Sequence, residues 1–225
     1  EAVKRGLLEV FKRARIVDGL GSSETGPQAT TITESASTAT SGRFTPTDET
    51  FVLSDDRTSR MTPGDEHVGW LAKTGSVPLG YLGDPEKTAL TFPVIGGRRH
   101  VVSGDRVRLS TDGDIEYHGR ESFTINSGGE KIFVEEVEHA LAQHSEVVDV
   151  LVTARSSEQW GQEVVAVVQL KSDSRVERAQ ILARAGEFVA RYKLPKAFVF
   201  VDEVQRGDNG KAYYRWAQLM AVDAT

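Results

Sequence analysis

Near the start of the chain Val3, Leu7, Leu8, Val10, Phe11 and Ala14 recur at close to helical spacing. They predict an amphipathic helix over residues 1–15 that leads into Ile16-Val17 as a strand. From Gln28 to Gly42 run fifteen residues dominated by Thr, Ser and Ala, with Ile32 the one large apolar side chain, and this stretch predicts a mobile loop. Thr50 to Leu53 predicts a short strand, and Asp84-Pro85-Glu86-Lys87 supplies an N-cap and first-turn proline for a helix running towards Leu90. Val107 to Leu109 and Ile115 to Tyr117 flank Asp112-Gly113, which predicts a hairpin with a two-residue turn. These pieces predict a β-rich part that ends near Gly119.

Beyond Gly119 the pattern changes. Phe123 and Ile125 alternate with polar residues as a short strand would, Gly128-Gly129 permits backbone angles closed to other residues, and a helix is predicted over Val134 to Gln143. Val147 to Thr153 and Val164 to Leu170 are β-branched strands, Arg178 to Tyr192 a helix and Phe198 to Val201 another strand. The fold class expected is α+β, with a small helix-covered sheet forming the second part.

Composition narrows the functions. The chain has 225 residues, 39% of them hydrophobic, enough for one large or two modest cores. Its net charge is −6 with basic residues dispersed, so no broad cationic face exists for nucleic acid. The absence of cysteine excludes a disulfide framework, a thiolate metal site and a thiol nucleophile, and suits a cytoplasmic protein. No apolar run approaches the roughly 20 residues that span a bilayer, and the basic, amphipathic N-terminus lacks a signal peptide's apolar centre. No transmembrane segment is expected, and any membrane contact would be peripheral.

Four segments carry the chemistry: Asp18-Gly19-Leu20-Gly21-Ser22-Ser23-Glu24-Thr25-Gly26, then Ser103-Gly104-Asp105, then the run from Gly119-Arg120-Glu121-Ser122 through Ile125-Asn126-Ser127-Gly128-Gly129-Glu130-Lys131-Ile132-Phe133 to Glu138, and Arg206-Gly207-Asp208-Asn209-Gly210-Lys211. In this order they resemble the motifs of the adenylate-forming enzymes, the superfamily of acyl-CoA synthetases, firefly luciferase and peptide-synthetase adenylation domains. The Asn126 to Phe133 run looks most like bacterial fatty acyl-CoA synthetases. The resemblance covers about Ile16 to Trp216. It implies that residues 1–119 are the C-terminal, β-rich end of a large AMP-binding domain and residues 120–225 a mobile lid, with the hinge at 120–122. The Ser/Thr/Gly-rich phosphate loop that such enzymes carry upstream is not in this sequence, so the chain is expected to be the C-terminal portion of a longer enzyme and inactive in adenylation by itself.

The resemblance also implies roles. Glu24 would be a catalytic residue and the ligand of Mg2+, which a hard oxygen donor suits. Ser22 and Ser23 would line the nucleotide, with Ser23 touching the α-phosphate, and Gly21 would leave room for adenine and the acyl carbonyl. Asp105 would accept from the ribose hydroxyls of ATP and Arg120 would offer its planar fork to phosphate or ribose. Lys211 would reach the reacting carboxylate and α-phosphate. Gly128 and Gly129 would pass the pantetheine arm of coenzyme A, Lys131 would contact phosphate or CoA, and Ser122 would be the pivot. Without the resemblance, the same residues serve equally as a solvated turn (Ser22 to Thr25), a backbone-satisfying turn aspartate (Asp105), an ion-pair partner (Arg120), a solubilising lysine (Lys211) and a tight turn (Gly128-Gly129).

Several positions depart from the family pattern: Ser122 stands where Asp or Lys is usual, Leu20 where an aromatic often stacks on adenine, and Gln205 where Pro often precedes Arg206. Trp160-Gly161-Gln162 and Arg191 to Pro195 also resemble lid segments and are expected to be core and turn elements. The expected activity is ATP-dependent activation of a carboxylic acid, fatty in the first instance, to an acyl-adenylate, followed by transfer to CoA. The alternatives are another adenylate former acting on an aryl acid or carrier protein, and a non-catalytic nucleotide-binding module.

Overall fold

The computed structural model describes residues 2–40, 42–208 and 210–222. The chain forms two compact units, one holding the described residues up to His118 and the other those from Gly119 onward.

The first unit starts with helix α1 (Ala2–Val10), which buries Leu8 and leaves Val3 and Val10 exposed. The helix predicted to reach residue 15 stops five residues earlier, because one buried side chain cannot hold a longer one. Strands β1 (Ile16–Ser22) and β2 (Gly26–Thr33) pair as an antiparallel hairpin from Ile16 opposite Thr33 to Ser22 opposite Gly26. The predicted loop from Gln28 is therefore strand as far as Thr33. Its Thr30-Thr31-Ile32-Thr33 run is β-branched, and Ala29 fills a slot among Val52, Leu71, Val107 and Ile115 that a larger residue would overfill. Past β2, Ala36–Thr38 forms a single 3-10 turn capped by Ser35.

Strands β3 (Arg43–Pro46), β4 (Thr50–Leu53) and β5 (Val68–Lys73) come next, then helix α2 (Pro85–Thr91), whose N-cap Asp84 accepts from the Lys87 amide at 2.9 Å. A small ribbon of β6 (Val94–Ile95) and β7 (Arg98–Arg99) precedes β8 (Val101–Leu109) and β9 (Ile115–Arg120). Seven of these strands form one sheet in the order β1-β2-β3-β9-β8-β5-β4. The β8–β9 turn is wider than the two residues predicted. Ser110 N–H bonds the Asp114 carbonyl at 2.9 Å and Gly113 takes φ +88°.

In the second unit β10 (Ile125–Ser127) and β11 (Glu130–Ile132) flank the glycine turn and lead into α3 (Val134–Leu141). Val134, Val137, Ala140 and Leu141 give α3 its buried face, while Glu135 and Glu136 suit the positive end of the helix dipole. Strands β12 (Val147–Ser157) and β13 (Gly161–Leu170) form a long antiparallel hairpin. Helix α4 (Arg178–Ala185) comes after it, then β14 (Ala197–Val201), parallel to β13, and α5 (Tyr214–Ala221). The helix predicted to reach Tyr192 ends at Ala185, where Gly186 caps it. The sheet is apolar on both faces: Val150, Val152, Val164, Ala166 and Val168 meet α3 and α4, while Leu151 and Val167 meet Ala217 of α5. Burial on both sides explains why these strands read as near-continuous apolar runs. The architecture is α+β, sheet-rich, with five α-helices among the described residues.

Candidate functional site

Ser23, Glu24 and Thr25 form the β1–β2 turn, and internal hydrogen bonds shape it. Thr25 Oγ1 accepts from the Ser22 amide at 2.9 Å and donates to the Gly26 carbonyl at 2.8 Å. The Glu24 amide donates to Ser22 Oγ at 3.3 Å. Gly21 sits at a bulge, and a Cβ there would run into the carbonyl of Gly26 and approach Pro27 Cα at 3.3 Å. The hairpin's own packing thus requires glycine at this position. The turn is tied down from β5: Lys73, largely buried, donates to the Thr25 carbonyl at 2.9 Å and the Pro27 carbonyl at 3.1 Å. The Glu24 carboxylate is met by Tyr81, whose hydroxyl donates to Oε1 at 2.7 Å. Burial, then the facing Glu24, raise the Tyr81 phenol above its ordinary pKa, which keeps it a donor.

Asp105 lies inside β8. β8 carries Ser103, Gly104 and Asp105 opposite the single residue Leu71 of β5, and Gly104 takes φ +90° to make this bulge. The Asp105 side chain is buried, and Ser103 Oγ donates to its Oδ2 at 2.8 Å. β5 therefore serves both groups, with Lys73 reaching the Glu24 turn and Leu71, two residues before it, facing the Asp105 bulge.

In the second unit Arg120 ends β9 and precedes a 3-10 turn, Glu121–Phe123, that contains Ser122. Lys131 forms an ion pair with Glu121 at 3.2 Å, so the lysine expected at CoA is held against the Glu121–Phe123 turn. Gly128 and Gly129 adopt φ +60° and +90°. Their surroundings differ: a Cβ on Gly128 would lie 2.8 Å from Trp160 Cε3, whereas one on Gly129 would meet nothing within 4 Å. Trp160 also accepts the Gly128 amide on its carbonyl at 2.9 Å, and Gln162 Oε1 accepts the Asn126 amide at 2.9 Å. The Trp160-Gly161-Gln162 segment, expected to be core and turn, is the floor of the glycine turn, with the Trp160 side chain 42% exposed beside it.

Lys211 sits in a loop rooted by Arg206, which donates to both oxygens of Asp149 at 2.7 and 2.6 Å and pairs across the loop with Ala212. The Gly207 amide bonds the Lys211 carbonyl at 2.9 Å. Asn209 of this motif lies outside the described residues. Close to the loop's root is Glu138 of α3, which accepts from the Val152 amide at 2.8 Å and the Tyr214 hydroxyl at 3.2 Å. Burial pushes the Glu138 carboxyl up to about 8, with Glu135 adding to it, against the lowering by the Val152 amide, Tyr214 and Arg206. Tyr214 in turn lies 4.3 Å, centroid to centroid, from Phe123, next to Ser122.

Sequence reasoning thus missed Lys73, Tyr81, Trp160 as a neighbour of the glycine turn, and Arg206 as an anchor. Only the last two stood in segments already singled out. Among the described residues no group of three or more His, Asp or Glu side chains could enclose a metal. A lone carboxylate such as Glu24 fits the way Mg2+ is commonly held, by one or two protein carboxylates with phosphate and water completing the shell.

Residues 136–211 match the AMP-binding enzyme C-terminal domain. Across 98% of its length the chain is 53% identical to medium-chain acyl-CoA ligase Mig of Mycobacterium avium, covering 40% of that protein. Across 96% it is 41% identical to 3-oxocholest-4-en-26-oate–CoA ligase of Rhodococcus rhodochrous, covering 39% of it. Among solved structures, o-succinylbenzoate CoA synthetase of Bacillus subtilis, in complex with its acyl-adenylate intermediate, shares the fold with a TM-score of 0.76 over 95% of this chain and 43% of its own, at 23% identity. The chain belongs to the adenylate-forming enzymes. It spans about two fifths of the length of the relatives it matches.

Proposed function

We propose that the protein carrying this chain is an ATP-dependent acyl-CoA ligase acting on a fatty acid, with medium-chain acids the first substrates to test, and that this chain is its C-terminal portion, residues 1–119 closing the large domain and 120–225 forming a lid hinged at 120–122. The observation that carries this reading is the 53% identity, over nearly the whole chain, with a protein named as a medium-chain acyl-CoA ligase. The geometry supports the assignment of residues.

In the first half-reaction the acid's carboxylate attacks the α-phosphorus of ATP and pyrophosphate leaves. Ser22 and Ser23 line the nucleotide with Ser23 at the α-phosphate, Gly21 leaves room for adenine and the acyl carbonyl, and Asp105 accepts from the ribose. Arg120 contributes its fork to the same nucleotide. Mg2+ would be held by Glu24 and would supply neutralising charge to the phosphates. Lys211, presented on the loop that Arg206 anchors to Asp149, stabilises charge gathering on the reacting oxygens. In the second half-reaction the thiol of CoA, losing its proton, attacks the acyl carbonyl and AMP departs. The pantetheine arm passes Gly129, with Lys131 near the phosphates and Ser122 at the pivot. Orientation and charge stabilisation supply most of the acceleration.

The test is ATP–pyrophosphate exchange and CoA thioester formation by the complete polypeptide across a series of acids. Lys211→Ala is expected to lower acid-dependent exchange by about two to three decades. An unchanged exchange rate would remove Lys211 from the site, and absence of exchange with any acid would overturn the ligase reading.

A further inference from the structure

We propose that Tyr81 is a positioning residue for the adenylation half-reaction, acting by holding the Glu24 carboxylate at the tip of the β1–β2 turn. This rests on the role given to Glu24 above, and goes beyond it by identifying what orients that carboxylate.

Glutamate has three rotatable side-chain bonds, and ordering them takes directional contacts to the carboxylate itself. The hydrogen bonds within the turn and from Lys73 fix its backbone only. Tyr81 reaches the carboxylate from a different element, 57 residues along the chain. Its own position is over-determined. The Tyr81 amide donates to Thr88 Oγ1 at 2.8 Å, and Thr88 Oγ1 donates to the Asp84 carbonyl at 2.7 Å, which ties the Tyr81 segment to the first turn of α2. The ring rests 5.4 Å from the Phe92 ring, and the Lys87 ammonium lies 4.2 Å from the ring centroid. Gly80, at φ +154°, has no room for a Cβ because the Thr88 side chain occupies that space. A phenol held this firmly and donating at 2.7 Å restricts where the carboxylate can point and so preorganises it. The carboxylate accepts this bond from a neutral phenol, so the bond itself brings no opposing charge to Glu24.

The experiment uses the complete polypeptide and four forms: wild type, Tyr81→Phe, Glu24→Gln and the double variant. Phenylalanine keeps the ring packing on Phe92, so the change is confined to the hydroxyl. Two quantities are read: ATP–pyrophosphate exchange, and binding of Mn2+ in the presence of ATP by electron paramagnetic resonance. The expected result is a fall of about tenfold in exchange for Tyr81→Phe, a parallel weakening of Mn2+ binding, and little further loss when Tyr81→Phe is added to Glu24→Gln. Exchange and Mn2+ binding unchanged in Tyr81→Phe but impaired in Glu24→Gln would overturn the proposal and leave the role of Glu24 standing. Full additivity in the double variant would overturn it too, by showing that Tyr81 acts elsewhere. Unimpaired Glu24→Gln would overturn the underlying reading of Glu24, and the proposal with it.

Discussion

Gly128 and Gly129 are neighbours in sequence with different reasons to lack a side chain. Both take positive φ, which costs an L-residue roughly 1–2 kcal/mol. At Gly128 the Trp160 ring adds a steric demand, whereas the space at Gly129 is open. Gly128→Ala is therefore expected to lower the melting temperature and displace Trp160, visible as a shift in tryptophan emission. Gly129→Leu is expected to preserve ATP–pyrophosphate exchange while abolishing thioester formation. Loss of both half-reactions would assign Gly129 to folding instead. Lys73 is a further case in which one side chain acts on a whole turn, since two carbonyls of the Glu24 hairpin depend on its ammonium. Lys73→Met keeps the stem and removes both bonds. It should loosen the turn, raising amide hydrogen exchange at residues 22–26 above that of the rest of the β1–β2 hairpin.

At the scale of elements, Glu138 joins three of them: it belongs to α3, accepts from a β12 amide and receives the Tyr214 hydroxyl at the start of α5. Glu135 on its own helix, Arg206 beside the loop and Tyr214 are the charged and titratable groups acting on it. Its folded pKa of about 8 lies above the unfolded value near 4.5, so between these the folded state binds more protons than the unfolded one. Stability of the second unit is therefore expected to be highest at or below pH about 4.5 as far as this group is concerned, to fall as pH rises towards about 8, and to level off above. Glu138→Gln should flatten that fall in urea titrations run from pH 5 to pH 9, and an unaltered slope would show that another group sets it. The second unit was more legible than the first because its strands are buried on both faces and built of valine. The stretch from Gln28 failed as a loop because the side chains it buries are Gln28, Ala29, Thr33 and Ala39, polar or too small to register as a hydrophobic pattern. β5 was overlooked because its buried run is the four residues Gly69 to Ala72, which alternate in no pattern and include no β-branched side chain. α5 begins with Tyr214, Arg215 and Trp216, large side chains whose helical spacing is short and whose N-terminus has no side-chain cap.

For the whole molecule, the two units have separate hydrophobic cores: among the described residues Ile125 to Phe198 form one in the second, and Ala29 to Ile115 one in the first. Residues 119–225 are accordingly expected to unfold cooperatively when produced alone, monitored by far-UV circular dichroism, and a broad transition would argue against autonomy. Motif residues were readable because they cluster in short segments of unusual composition. Their supports were not: Tyr81 meets Glu24, and Lys73 meets Thr25, across separations that only the folded sheet closes. No helix among the described residues is long and apolar enough to cross a membrane. The chain's three tryptophans occupy unlike environments. Trp70 is buried with the guanidinium groups of Arg57 and Arg106 at 3.9 and 4.1 Å, Trp216 is half-buried, and Trp160 stands exposed against the glycine turn. Long-wavelength emission and acrylamide quenching should therefore come mainly from Trp160, giving the turn a built-in optical probe whose shielding can be followed in real time without a label.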